Sequence, residues 1–167
     1  PEAGGGSPHD QWKTTMYTQQ SDDAAVEPLD DRSLLVRLAR TDWQTDPLFI
    51  PDEQVFRMFR RARAAGNESR VGMLARVLSR RLLNLAKGFA VRSGIYPGCI
   101  GNRDQAAEEL SQHVWECLVE RPGDAAHAEK RFGQLFKRRA LDFQRRLLAK
   151  KRNLQDSLDA MDRSDED

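Results

Sequence analysis

From Val55 to Leu147 the apolar side chains recur at intervals of three and four residues, and no stretch of the chain alternates apolar with polar. That spacing builds amphipathic helices and leaves no sheet, because a strand turns every second residue to the same face. The predicted fold class is all-α: a small helical bundle of four to five helices, with acidic tails at both ends too poor in apolar residues to order.

Breakers divide the helical pattern. Leu34, Leu35, Leu38 and Ala39 mark a short helix over residues 31–40, with Asp30 or Asp31 available as its cap. Pro47 and Pro51 bracket a turn, and Val55, Phe56, Met58 and Phe59 begin a helix that Gly66 and Asn67 stop. Glu68 or Ser69 opens a longer helix to about Arg92, whose Val71, Leu74, Leu78, Leu82, Leu85, Ala86 and Phe89 keep the period and leave its arginines on the flanks and outside. Residues 93–103 hold three glycines and a proline and predict a loop. Asp104 is the expected cap of the next helix, which Pro122 and Gly123 end after Glu120. The last helix spans about Ala126 to Asn153 and gathers Phe132, Phe136, Ala140, Phe143 and Leu147 within an arc of about 80°. The core is expected between residues 55 and 148. Three parts follow: a disordered leader over 1–30, in which Trp12, Met16 and Tyr17 are the only docking candidates; a helical domain over 31–152; and an acidic tail or the start of a linker over 153–167.

A net charge of +1 over 167 residues conceals segregation by sign. Residues 1–31 carry seven carboxylates against Lys13, while from Arg57 to Arg92 ten cations face only Glu68. Asp104, Glu108, Glu109, Glu116 and Glu120 then stand without any Lys or Arg among them, and ten cations between residues 129 and 152 face only Glu129 and Asp142. Blocks of this kind point to two charged partner surfaces, or to one partner plus self-screening tails.

Other chemistries find little purchase. No run approaches the roughly 20 apolar residues of a membrane span, and no secretion leader is read at the start, so no membrane partner is expected and the cytoplasm is the expected compartment. Cys99 and Cys117 are too few for a disulfide framework, in keeping with a reducing compartment. His113 and Cys117 lie four apart on a helix but lack a companion pair, so no metal and no cofactor is expected. His9, His113 and His127 are scattered, no nucleophile motif is present, and Glu108 and Glu109 diverge by about 100° around a helix, so the chain reads as no enzyme.

The last helix carries the strongest signal. Arg131, Arg138, Arg145 and Arg152 repeat every seven residues, nearly two whole turns, so they stay near one face. Such a row matches a phosphate backbone, and Gln or Arg within it can reach base edges. The acidic face of the preceding helix lacks the basic partners at four-residue spacing that a solvated helix carries, and suits docking on a basic element.

The order of parts is a basic helix, a loop, an acidic helix bearing AAEELSQHVWECL, a Pro and Gly break, and a basic helix bearing RFGQLFKRRALDFQRRLLAKKR. It resembles the second conserved region of bacterial RNA polymerase sigma factors, in particular the extracytoplasmic-function type. Glu108, Glu109, Leu110, Gln112 and Val114 match that family's acidic motif; Leu135, Lys137, Ala140, Leu141, Asp142, Phe143, Arg145 and Arg146 approximate the motif that follows. His113, Arg131 and Arg138 depart from it, standing where the family often has an acid, a Trp and an Asn.

The resemblance implies two sites. Glu108, Glu109, Gln112, His113 and Glu116 would dock on the clamp helices of the largest subunit of the RNA polymerase core. Lys137, Arg138, Arg139, Gln144, Arg145, Arg146, Lys150 and Lys151 would bind the minus-ten element of promoter DNA, with Gln144 and Arg138 reading bases. Residues 121–127 would form the loop that captures an extruded base, and an inhibitor protein is a further partner of the kind implied. Phe132 and Phe136 belong to the core by their arc. Two other readings stand beside this one: a helical adaptor whose basic face meets an acidic protein or the chain's own tails, and a sequence-nonspecific nucleic-acid binder.

Overall fold

The computed structural model describes residues 25, 26 and 28–164, the last six of these by backbone alone. Trp12, Met16 and Tyr17 lie outside the described residues. The described chain is all-α, with six helical elements: α1 (Asp31–Leu38), α2 (Asp52–Ala64), α3 (Glu68–Arg92), α4 (Ile95–Gly98), α5 (Arg103–Glu120) and α6 (Pro122–Ser164).

The starts and stops follow local chemistry. The Asp30 carboxylate accepts the N–H groups of Arg32 and Ser33 and caps α1. Gly66 closes α2 at φ +69°, a backbone region in which a Cβ would be strained, and the Asn67 N–H reaches back to the Ala62 carbonyl. Asn67 then caps α3 through the Arg70 N–H. The cap of α5 is Asn102, whose side chain accepts the Gln105 N–H, and not Asp104, which lies inside the first turn.

Three elements differ from expectation. The 93–103 stretch holds the one-turn α4 and buries Ile95 completely. Pro122 does not merely stop α5. It begins α6 after a single extended residue, Arg121, since a proline at the first helical position lacks only an N–H that would have no partner there. And α6 continues through Ser164, past the expected end near Asn153, because residues 153–164 contain neither Gly nor Pro to end it.

Helices α2, α3, α5 and α6 close into a ring, with α3 packed on α2 and α5, and α6 packed on the same two from the other side. Phe56, Leu74, Leu78, Leu82, Leu110, Val114, Phe132 and Leu135 fill its centre, each no more than 2 % exposed. Aromatic pairs join facing helices: Phe56 with Phe132 at 6.1 Å, Phe59 with Trp115 at 5.6 Å, and Phe89 with Phe136 edge-on at 6.1 Å. The core reaches further toward the start than the periodicity implied, since Val26, Leu34, Leu38 and Ile50 are all buried.

Two features of the ring orient what lies outside it. Arg81 of α3 turns inward rather than outward. It donates to the Ile50 and Leu38 carbonyls, pairs with Asp52 at 2.8 Å and lies over the Phe49 ring, tying α1 and its connection to the bundle. And α6 is broken at Arg131, whose φ of −149° and ψ of 64° leave the helical region. A break strands polar backbone groups on both sides. Side chains of α2 take them up: the Glu53 carboxylate accepts the Phe132 N–H at 3.0 Å, and Arg57 donates to the Glu129 carbonyl at 2.6 Å.

Candidate functional site

Helix α5 divides cleanly. Ala106, Ala107, Leu110, Val114, Cys117 and Leu118 face the ring, while Glu108, Glu109, Gln112, Glu116 and Glu120 face solvent. Gln105 donates to Glu109 at 2.8 Å and Gln112 to Glu116 at 3.1 Å, neutral pairings at four-residue spacing that hold the carboxylates without cancelling their charge. Among the described residues none of these glutamates forms an ion pair.

The predicted DNA-binding residues sort into three rows on α6, at about 100° per residue. Arg138 and Arg145 point to solvent with Arg152 a further two turns along, and Arg145 is 76 % exposed, with Asp142 no nearer than 3.6 Å; Lys137, also exposed, stands seven residues before Gln144 and heads the row of Gln144 and Lys151. On one flank, Gln144 donates to the Ser93 carbonyl at 2.7 Å and Lys151 to the Gly98 carbonyl at 2.8 Å, so both secure α6 to the loop around α4. On the other flank, Arg139, Arg146 and Lys150 face α5. The structure corrects the placing of Arg139 in an open phosphate row. Its guanidinium forks onto Asp124 through bonds of 2.7 and 2.6 Å and reaches Asp142 at 2.9 Å, with only 15 % of the side chain exposed. The hydrogen bonds to Asp124 hold its proton more tightly still.

His113 likewise turns from the acidic face into the seam between α5 and α6. Its ring stacks on Phe143 at 5.5 Å, and the Arg146 guanidinium donates to it at 2.8 Å. Burial, with the cations of Arg146 and Arg121, holds its pKa below the ordinary 6.5, so the ring stays neutral and accepts. Cys117 lies 3.8 Å from the same ring, and burial pushes its thiol upward, away from the thiolate form that nucleophiles and metal ligands need. Among the described residues no group of three His, Cys, Asp or Glu could hold a metal ion.

The two charged faces therefore meet along a narrow seam and are open elsewhere. Beside it lies a depression of about 400 Å³ in which Glu109 and Glu116 look across at Arg146 and Lys150, and no ion pair bridges it among the described residues. The expected base-capturing loop over residues 121–127 is helical from Pro122, with Asp124 buried at 7 % exposure. Asp124 is the residue that sequence reasoning missed. Its only signal was an acid placed fifteen residues before an arginine on a face that should have been wholly basic. Among the described residues no helix is long and apolar enough to cross a membrane.

No family model matches this chain, and no match was found among the curated proteins or the solved structures.

Proposed function

We propose that this chain is a sigma-like transcription initiation module that docks on RNA polymerase core through α5 and binds minus-ten promoter DNA through the solvent row of α6. The observation that supports this most is the separation of the two charges. Glu108, Glu109 and Glu116 stand exposed on one helix, with the neutral Gln112 among them, while Lys137, Arg138 and Arg145 stand exposed on the next, so that each face has charge to spare for an outside molecule. Cytoplasmic residence belongs to the same reading. His113 serves it indirectly, by joining the two helices that carry the faces through Arg146 and Phe143, and Arg139 by tying the two segments of α6 together through Asp124.

The experiment is a pull-down of purified RNA polymerase core by the tagged chain, wild type against Glu109→Lys, alongside DNA binding by Arg138→Glu. Retention of the core that Glu109→Lys abolishes, with DNA affinity intact in that variant, supports the division of labour. No retention by the wild type refutes it.

One observation favours a second reading, a nonspecific nucleic-acid binder. The Gln144 amide, one of two side chains suited to bases, is occupied by the Ser93 carbonyl, leaving Arg138 for that role. Equal affinity across DNA sequences with a steep salt dependence distinguishes it.

A further inference from the structure

A trough of about 810 Å³ runs between α1, the connection over residues 39–51 and α3. Its floor is apolar, with Leu38 and Met73 buried and Val77 half-buried. Apolar side chains also stand on its rim, where Trp43 is 70 % exposed, Leu35 47 % and Leu85 37 %. Grouped exposed apolar surface of this kind marks an interaction site more often than chance.

The shape selects the occupant. Leu35 and Trp43 stand at the edges rather than closing over, so a small molecule would keep one side in water, whereas a ligand pocket encloses most of its guest. An amphipathic helix requires that arrangement: stripe down, polar side out. The α3 wall extends from Ser69 to Leu85, about 24 Å at 1.5 Å per residue, which matches a partner of about four turns.

Charge selects its composition. Four arginines line the trough, and two of them are spent internally, Arg40 on Asp46 at 2.7 Å and Arg81 on Asp52 at 2.8 Å. Arg76 and Arg80 stand one turn apart on the α3 wall, exposed, with no carboxylate paired to either among the described residues. Arg76 only turns back to its own Gly72 carbonyl. Asp31, at one end, is the sole lining acid without such a short pairing, 4.0 Å from Arg70.

We propose that this trough docks an amphipathic α-helix of a partner protein, apolar along one stripe and acidic along the edge that meets Arg76 and Arg80. This does not rest on the polymerase or DNA reading.

Two synthetic sixteen-residue peptides test it on the full chain, sharing one leucine stripe at helical spacing and differing only in glutamate or lysine along its edges. Fluorescence anisotropy at low salt should give the glutamate peptide at least tenfold tighter binding, with the Trp43 indole NMR signal shifting on titration. The preference should invert in Arg76→Glu/Arg80→Glu, and Leu35→Asp, at an exposed position, should weaken the glutamate peptide at least tenfold. Equal affinities, no binding of either peptide, or binding that leaves Trp43 unmoved overturns the proposal. So does a concentration-dependent dimer that covers Trp43, which would make a second copy the occupant, or glutamate-peptide binding seen only after deletion of residues 1–24, which would make the chain's own leading segment the occupant.

Discussion

Replacing Arg139 by Leu should unfold this bundle far more readily than it should weaken any grip on DNA. The guanidinium makes three charge-assisted hydrogen bonds, two of them to Asp124, whose side chain is 10 % exposed. Removing it strands the Asp124 charge, and the loss of one member of a buried pair costs about 3–5 kcal/mol. Because 15 % of the Arg139 side chain meets water, the lower end applies, about 3 kcal/mol. At roughly 2–4 °C per kcal/mol for a domain of this size, the melting temperature should fall by about 6–12 °C. The assay is a thermal and urea double-mutant cycle of Arg139→Leu, Asp124→Leu and the pair. The double variant should recover a large part of the stability, since two apolar residues leave no uncompensated charge. Below the midpoint, Arg139→Leu should keep the wild-type salt slope for DNA. Single variants that each cost under about 0.5 kcal/mol, or that add without coupling, would refute the reasoning.

Three further outcomes follow from other sites. His113 is held below its ordinary 6.5 in the fold, so the unfolded chain takes up its proton first; stability should be full above about pH 6.5 and decline as pH falls from there, and His113→Gln should flatten that decline in a melting series. Asn102→Ala should cost about 1 kcal/mol by removing the cap of α5, while Asp104→Ala, whose exposed carboxylate only meets Lys87 at 3.4 Å, should stay within about 0.5 kcal/mol in the same urea titrations. Arg145→Glu should leave the melting temperature nearly unchanged and lower the slope of log affinity against log salt by about 0.9 for each duplex phosphate the variant no longer neutralises.

The bundle was legible because its apolar spacing is regular: Leu74, Leu78 and Leu82, then Phe132, Phe136 and Ala140, all fall where the 3.6 period puts them. What escaped was decided by pairing across distance. Arg81, Arg139 and Gln144 read as surface residues on their own helices, and each is drawn inward by a partner at least fifteen positions away. Caps were harder still: Asp104 is the expected cap, yet Asn and Asp cap about equally well, and the extended backbone at residue 102 gives the role to Asn102. The trough was invisible for a different reason. Leu35, Trp43 and Leu85 belong to three separate segments, and no periodicity links them. Within the candidate site, the exposed positions of Glu108, Glu109, Lys137, Arg138 and Arg145 were readable from spacing, whereas the inward turn of His113 was not.

The interruption at Arg131 makes the second part of α6 a separately mounted rod. Its footing is two side chains of another helix, Glu53 beneath the restart and Arg57 beneath the preceding end. The bearing of the cations downstream thus depends in part on a place more than seventy positions upstream that carries none of them, alongside the hold of Arg139 on Asp124 and of Gln144 and Lys151 on the loop around α4. Glu53→Gln keeps the shape of that footing but replaces its charged acceptor with a neutral one, so it should loosen the restart of the helix at Phe132 while leaving each arginine chemically intact.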